Sequence, residues 1–298
     1  MKTACVIVNY NDAETTIKLL NKIHDYRVID YIIVVDNCST DGSYGALEKC
    51  WTDRIIVLCA TENKGYGAGN NLGIKYAKER LQCDVAVIAN PDVIFTEECI
   101  EKIKYTFSEN RDVAVVTALQ LKSDGTLFHE TAWDIPSVNE YIFSALFFIG
   151  KLYSKTKEYN GNTRIAVDCV SGAFLAVDIN KFLSVDGYDE RIFLYCEETM
   201  LGIKLKKAGF RTLLLTNETY IHHHAASTQK SIPDAVKRRS LLLNSRLFVL
   251  KEYMGASELE LLLASGIYKV ALVEEAVKVA IKSLKNKSER TKRKVAQK

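Results

Sequence analysis

The chain has 298 residues, 48% of them hydrophobic and 26% charged, with a net charge of +3, enough apolar material for one large α/β domain or two modest ones. So small a net charge excludes nucleic acid as the main partner, and no apolar run, the longest being 141–150, approaches a membrane span. Eight cysteines without a C-x-x-C pair indicate neither a zinc site nor a disulfide framework, and read as reduced thiols of a cytoplasmic protein.

The apolar run Ala4 to Val8 is too short for a secretory signal; ACVIVNY reads as a buried strand instead. Helical spacing follows from Ala13 to His24, with Asn11 or Asp12 as its cap. YIIVVDN is a second strand, leading through a Ser39–Gly42 turn to a helix near Tyr44–Lys49. RIIVLCA is a third strand, Gly69–Arg80 a helix and VAVIA (85–89) a fourth strand. Strands alternating with helices imply a mostly parallel sheet covered on both faces. Past residue 110 the pattern loosens. VAVVTALQL reads as a strand, residues 164–178 as a bent or paired strand, and RTLLLTN and TYIHHH as short strands. Glu197–Ala208 has helical spacing with Gly209 as its C-cap, and helices dominate from Ala235.

Ligands of parallel sheets bind beyond the carboxyl ends of the strands. All four such ends are polar: Asn9-Tyr10-Asn11, Asp36-Asn37, Thr61-Glu62-Asn63 and Asn90-Pro91-Asp92. Asp36 could accept bonds from a ribose or a base, or cap the following turn. ENKGYGAGNNLG (62–73) offers a helix start to phosphate, or is a plain flexible turn; it matches neither standard nucleotide-binding glycine motif. Asp92, at the mouth of an apolar strand and aimed by Pro91, is placed to hold a divalent cation that bridges a diphosphate. Glu197 and Glu198 open a helix after an apolar approach. One could be desolvated into a general base, or both could simply favour the helix dipole. Three of the five histidines fall at 222–224; strand alternation puts His222 and His224 on one face, a metal-ligand arrangement.

In order, the blocks CVIVNYN, IIVVDNCSTDGS, ENKGYGAGNNLGI, VAVIANPDV, CVSGAFLAV, GYDERIFLYCEE and HHHAAST resemble family-2 glycosyltransferases of the GT-A fold, over roughly residues 4–228. Within that family the resemblance is to bacterial enzymes that build rhamnose- or galactofuranose-containing surface polysaccharides. It implies a Rossmann-like α/β sheet flanked by helices. The nucleotide-binding half would be about 1–110, the acceptor half about 111–234, and 235–298 a helical appendix with a basic tail. Tyr10 and Asn11 would lie by the nucleotide base, with Asp36 on the base or ribose; Asn63, Gly65 and Asn71 would belong to a loop closing over it. Asn90-Pro91-Asp92 stands where the family has D-x-D. Asn90 would bond a ribose hydroxyl and Asp92 would bind Mn²⁺ or Mg²⁺. The second metal ligand would come from the histidine run, the spacing to Ser227 pointing to His222 rather than His224. Glu198 aligns with the general base and Glu197 with its neighbour. Met200 and Lys204 depart from the acid and arginine usual further along that helix.

The implied reaction is inverting transfer of a sugar, rhamnose or a hexose, from a UDP- or dTDP-linked donor to a hydroxyl of a glycan or lipid-linked acceptor. One rival, a sugar nucleotidyltransferase, would carry a basic glycine-rich N-terminal loop that VIVNYNDAETT lacks. The other, a non-catalytic nucleotide-sugar-binding homologue, draws on Asn90 and Met200. At the other end of the chain, Leu259, Leu262, Leu263, Ile267, Val270, Val273, Val277 and Ile281 recur at helical spacing, a stripe expected to pack against the catalytic domain. After it, residues 282–298 hold eight Lys or Arg against Glu289 alone, a segment suited to an anionic surface on the cytoplasmic membrane face.

Overall fold

The computed structural model describes residues 1–153, 162–223 and 232–296; of 151, 153 and 285–296 it describes the backbone alone. Two compact units emerge, Met1–Ile135 with Thr156–Ser231, and Pro136–Lys155 with Ile232–Lys298.

The first unit is built on one sheet. Strands β1 (Thr3–Asn9), β2 (Tyr31–Asp36), β3 (Ile55–Cys59) and β4 (Val85–Ala89) alternate with α1 (Ala13–Ile23), α2 (Ser43–Glu48) and α3 (Tyr66–Glu79). All four pair in parallel, in the order β3-β2-β1-β4. Alternate side chains divide between two cores, as the period of a strand requires. Cys5, Ile7, Ile32 and Val34 pack with α1, α2 and α4 (Glu97–Glu109) on one face. Ala4, Val6, Ile33 and Val35 pack with α3, α7 (Ile179–Ser184) and α8 (Glu197–Lys207) on the other. This is the mostly parallel, doubly covered α/β sheet that the alternation of elements predicts.

Beyond β4 the sheet continues through strands made later in the chain. β10 (Phe174–Asp178) lies antiparallel between β4 and β6 (Val113–Leu121), and β11 (Arg211–His222) runs parallel to β6. The stretch 164–178 resolves into β8 (Arg164–Val167), β9 (Cys169–Val170) and β10; β9 pairs with β7 (Ala132–Trp133) in a separate ribbon. RTLLLTN and TYIHHH, read as two strands, are one. β11 is continuous, with an irregularity between Leu215 and Thr219. Before that irregularity it pairs with β8, and after it with β5 (Val93–Ile94). Helix α3 starts at Tyr66 rather than Gly69, because Gly67, Gly69 and Gly73 serve inside the helix as close-packing positions. A Cβ at 69 or 73 would press on Val8 or Val6 of β1. Thr96 caps α4 by accepting the Cys99 N–H, whereas Asp12 precedes α1 without a side-chain cap. All eight cysteines are free.

The second unit is helical: α5 (Val138–Phe143), α6 (Phe147–Tyr153), α9 (Ala235–Glu252) and α10 (Glu258–Ala296). Ser137 and Glu140 form a reciprocal capping box on α5, and Asp234 caps α9. Arg246 lies 4.3 Å over the Tyr141 ring and donates to Ser144 Oγ at 2.6 Å, tying α9 to the end of α5. Ala264, Tyr268 and Ala271 are the buried side of α10. The apolar stripe expected to be covered is instead in solvent, with Leu259 79%, Leu262 72% and Val273 64% exposed. Helical periodicity finds an apolar face but cannot say whether the same chain covers it. Among the described residues no helix is long and apolar enough to cross a membrane.

Candidate active site

Because β1 to β4 are parallel, their carboxyl ends share one edge of the sheet, and Asn9, Asp36 and Cys59 stand in one register. Asp36 is fully buried. It accepts from Asn9 Nδ2 at 2.8 Å, from the Ser39 N–H at 2.9 Å and from Ser39 Oγ at 2.6 Å. Asn11, with φ of 51°, extends the same network: its N–H donates to Ser39 Oγ and its Oδ1 accepts the Thr40 N–H. Asp36 and Asn11 thus hold the β2–α2 loop against the end of β1, with the half-buried Tyr10 between Asn9 and Asn11. Sequence reasoning passed over Asn9 and Ser39 as members of this network; buried Asn at a strand end is the signal that could have found them.

The glycine-rich segment makes its close approaches to protein. Asn63 Oδ1 accepts from Asn37 Nδ2 and from the Gly65 N–H, fixing the loop before α3. Gly65 has φ of 97°, and a Cβ there would fall on Phe193 O, so only glycine serves. Asn71 is buried inside α3. It donates to Tyr188 O and Glu190 Oε1 at 2.8 Å and accepts the Tyr188 N–H at 2.9 Å, clamping the segment that leads to α8.

At the end of β4 the Asn90 N–H donates to Ala173 O at 2.9 Å, which sets the half-buried Asn90 beside the turn before β10. Asp92, 8% exposed, meets His222 across the β5–β11 pairing: Oδ1 lies 3.1 Å from His222 Nε2, and the His223 N–H donates to Asp92 O at 3.0 Å. His222 Nδ1 is 3.4 Å from Nε2 of the buried Gln120, whose Oε1 accepts from Tyr220. The His223 ring turns elsewhere, to Ser123 Oγ at 2.9 Å. His224 and Ser227 lie outside the described residues. Among those residues no three His, Cys, Asp or Glu converge. The protein therefore offers one carboxylate oxygen and one imidazole nitrogen, a donor pair that fits a divalent cation completed by phosphate oxygens and water.

The two glutamates of α8 differ in setting. Tyr195 and Cys196 are both left-handed, with φ of 75° and 68°, an uncommon conformation that turns the chain sharply into the helix. Glu197 is 2% exposed under Gly67 and Tyr188, and its Oε1 has no protein partner. Glu198 is half-buried; its Oε1 accepts the Gly172 N–H at 3.1 Å. A Cβ at Gly172 would sit 2.4 Å from that oxygen and push the Glu198 side chain aside, and the Gly172 carbonyl accepts from Tyr66 at 2.6 Å. Gly172 and Tyr66 escaped sequence reasoning because nothing local marks a contact between residues so far apart. Met200 is fully buried in the core, and Lys204 points inward to donate to Gly187 O.

Burial, reinforced by its neighbour Glu198, pushes the Glu197 carboxyl up to about 8; burial raises Glu198 as well. Above the ordinary value of 4.5 the unfolded chain has released a proton that folded Glu197 retains. Folding stability from this group is therefore complete at low pH and is lost as pH rises towards about 8. The melting temperature should fall between about pH 5 and about pH 8, and Glu197→Gln should flatten that fall. An unchanged slope in the variant would contradict the assignment.

The family model for Glycosyl transferase family 2 matches residues 4–182, more than half of the chain. The chain belongs to that family. Among particular relatives it is 28% identical over 167 residues to the rhamnosyltransferase WbbL of Escherichia coli, covering 54% of this chain and 62% of that protein. It is also 28% identical over 211 residues to an N-acetylglucosaminyl-diphospho-decaprenol L-rhamnosyltransferase of Mycobacterium tuberculosis, covering 66% and 67% of the two chains. A solved mannosyltransferase from Pyrobaculum calidifontis, in complex with GDP-Man and Mn²⁺, superposes with a TM-score of 0.57 at 14% identity, over 95% of this chain and 75% of that one. At that identity the likeness is one of fold.

Proposed function

We propose that the chain transfers a sugar, rhamnose or a hexose, from a UDP- or dTDP-linked donor to a hydroxyl of a glycan or lipid-linked acceptor in surface polysaccharide synthesis, with inversion at the anomeric carbon. The observation that carries this reading is the convergence, at one sheet edge, of the Asp92–His222 pair and of Glu198 through the 171–173 turn. The rhamnosyltransferase relatives support the donor class.

Nucleotide contacts fall to the edge formed by Tyr10, Asn11, Asp36, Asn63 and Gly65, with Asn90 beside the donor ribose and Asn71 holding the frame behind. Asp92 and His222 would hold Mn²⁺ or Mg²⁺, which when bound neutralises charge on the departing diphosphate. Glu198 takes the proton of the acceptor hydroxyl, whose oxygen then attacks the anomeric carbon as the glycosidic C–O bond to the diphosphate breaks. Buried Glu197, which retains its proton to about pH 8, spares the base a second negative charge beside it.

Purified protein with Mn²⁺ and a panel of UDP-, dTDP- and GDP-sugars provides the test. The cognate donor should raise the melting temperature by mass action and release nucleoside diphosphate when an acceptor is present. Stabilisation without release under all acceptors would leave a binding protein; no stabilisation by any donor would refute the proposal.

The basic tail, 282–298, adds a place of work. About 1 kcal/mol per Lys or Arg near an anionic leaflet favours reversible residence on the cytoplasmic membrane face, near lipid-linked acceptors. Flotation with anionic vesicles should be salt-sensitive and lost on truncation after Ser283; flotation indifferent to both would refute it.

A further inference from the structure

Helix α10 carries two apolar faces. One is the buried side described above, Ala264, Tyr268 and Ala271. The other lies opposite and is made of Leu259, Leu263, Gly266, Val270, Val273, Val277, Ala280 and Leu284, separated alternately by four and three residues. An average spacing of 3.5 is the repeat of a coiled-coil seam, not of the broader face that docks on a globular core. The large members are exposed: Val270 54%, Val277 51% and Leu284 66%. About seven successive turns of seam in open water are a partnering surface.

We infer that this seam pairs with its own copy, so that two chains join through α10 in a parallel, in-register two-stranded coiled coil. With Leu263, Val270, Val277 and Leu284 at a, and Leu259, Gly266, Val273 and Ala280 at d, the flanking positions complement themselves. In a parallel pair each g residue faces the e residue five positions on in the other helix. Leu262 then faces Ile267, Lys269 faces Glu274, and Ala276 faces Ile281. Each match is apolar with apolar or cation with anion. An antiparallel pair sets g against g and e against e, so Lys269 and Glu274 would not meet. Lys269 is exposed with no ion-pair partner in its own chain among the described residues, and half-buried Glu274 is held at the seam's edge by the Phe147 N–H at 3.0 Å. Val fills two of the four a positions, and the small residues at 266 and 280 let two helices approach closely.

Sedimentation of the full chain between about 1 and 100 µM should give twice the 33.5 kDa chain mass. Val270→Asp with Val277→Asp should give monomer with unchanged circular dichroism, since both side chains already lie in solvent. Lys269→Glu should raise the dimer dissociation constant about tenfold, and Lys269→Glu with Glu274→Lys should restore it. A wild-type monomer throughout, or a dimer that survives the double aspartate change, overturns the inference. Failure of the charge exchange to restore pairing overturns the parallel register. If the chain is monomeric and the aspartate pair instead abolishes vesicle flotation, the seam faces lipid and the inference falls.

Discussion

Glu198→Gln should lower kcat by about 10²- to 10⁴-fold, the range of a lost general base, while donor affinity stays within about twofold of wild type. Glutamine keeps the acceptor oxygen that receives the Gly172 N–H and so preserves the turn that joins this residue to the end of β4. It loses only the ability to take a proton. The neighbour is the control. Glu197 is buried, its Oε1 meets no protein partner, and its proton is retained to about pH 8. Glu197→Gln should therefore leave most of the activity in place. Single-turnover rates together with donor titrations for both variants decide the matter. An inactive Glu197→Gln beside an active Glu198→Gln would exchange the two roles.

Asp92→Asn should cost about 10²- to 10³-fold in kcat, the scale of removing a principal charge stabiliser. The amide can still lie 3 Å or so from His222 Nε2, so the β5–β11 pairing survives and the loss is one of charge. Divalent-ion dependence gives the sharper readout. Wild type should lose activity in EDTA and recover it with Mn²⁺ or Mg²⁺, and the variant should need a much higher ion concentration for whatever activity remains. Full wild-type activity in EDTA would remove Asp92 and His222 from the chemistry.

The Asp92–His222 contact shows what a sequence can disclose. The two residues are 130 positions apart, yet each is marked locally, one by an acid at the mouth of an apolar strand, the other by strand alternation within a histidine run. The parallel half of the sheet was legible for the same reason, since each buried strand announces itself by continuous apolar residues. Contacts made by backbone atoms were not legible. The Gly172 N–H to Glu198, and the left-handed pair Tyr195 and Cys196, depend on how distant strands seat the loops, and Tyr and Cys do not advertise a positive φ. Nor did the glycines of 65–73 reveal their use. A glycine is needed wherever a backbone comes close, and here it is Phe193, Val8 and Val6 that come close to Gly65, Gly69 and Gly73. The C-terminal stripe was misplaced because periodicity reports a face without its occupant.

The antiparallel strand β10 has a consequence for how the chain is made. It lies between β4 and β6, yet synthesis delivers both neighbours long before Phe174. Until then, β4 and β6 each present an open hydrogen-bonding edge, lined with Val, Ile and Ala in β4 and with Val, Ala and Leu in β6, the kind of edge that recruits other chains. The β1–β4 half, whose pairings are all complete by residue 89, can assemble while the rest is still being translated. β6 reaches β4 only through β10, and its other neighbour β11 is made later still, at Arg211–His222, so completing the sheet is a late, long-range step of the slow kind. A chain halted between residues 121 and 222 would therefore carry a half-built sheet with open edges, the state in which it is most prone to aggregate.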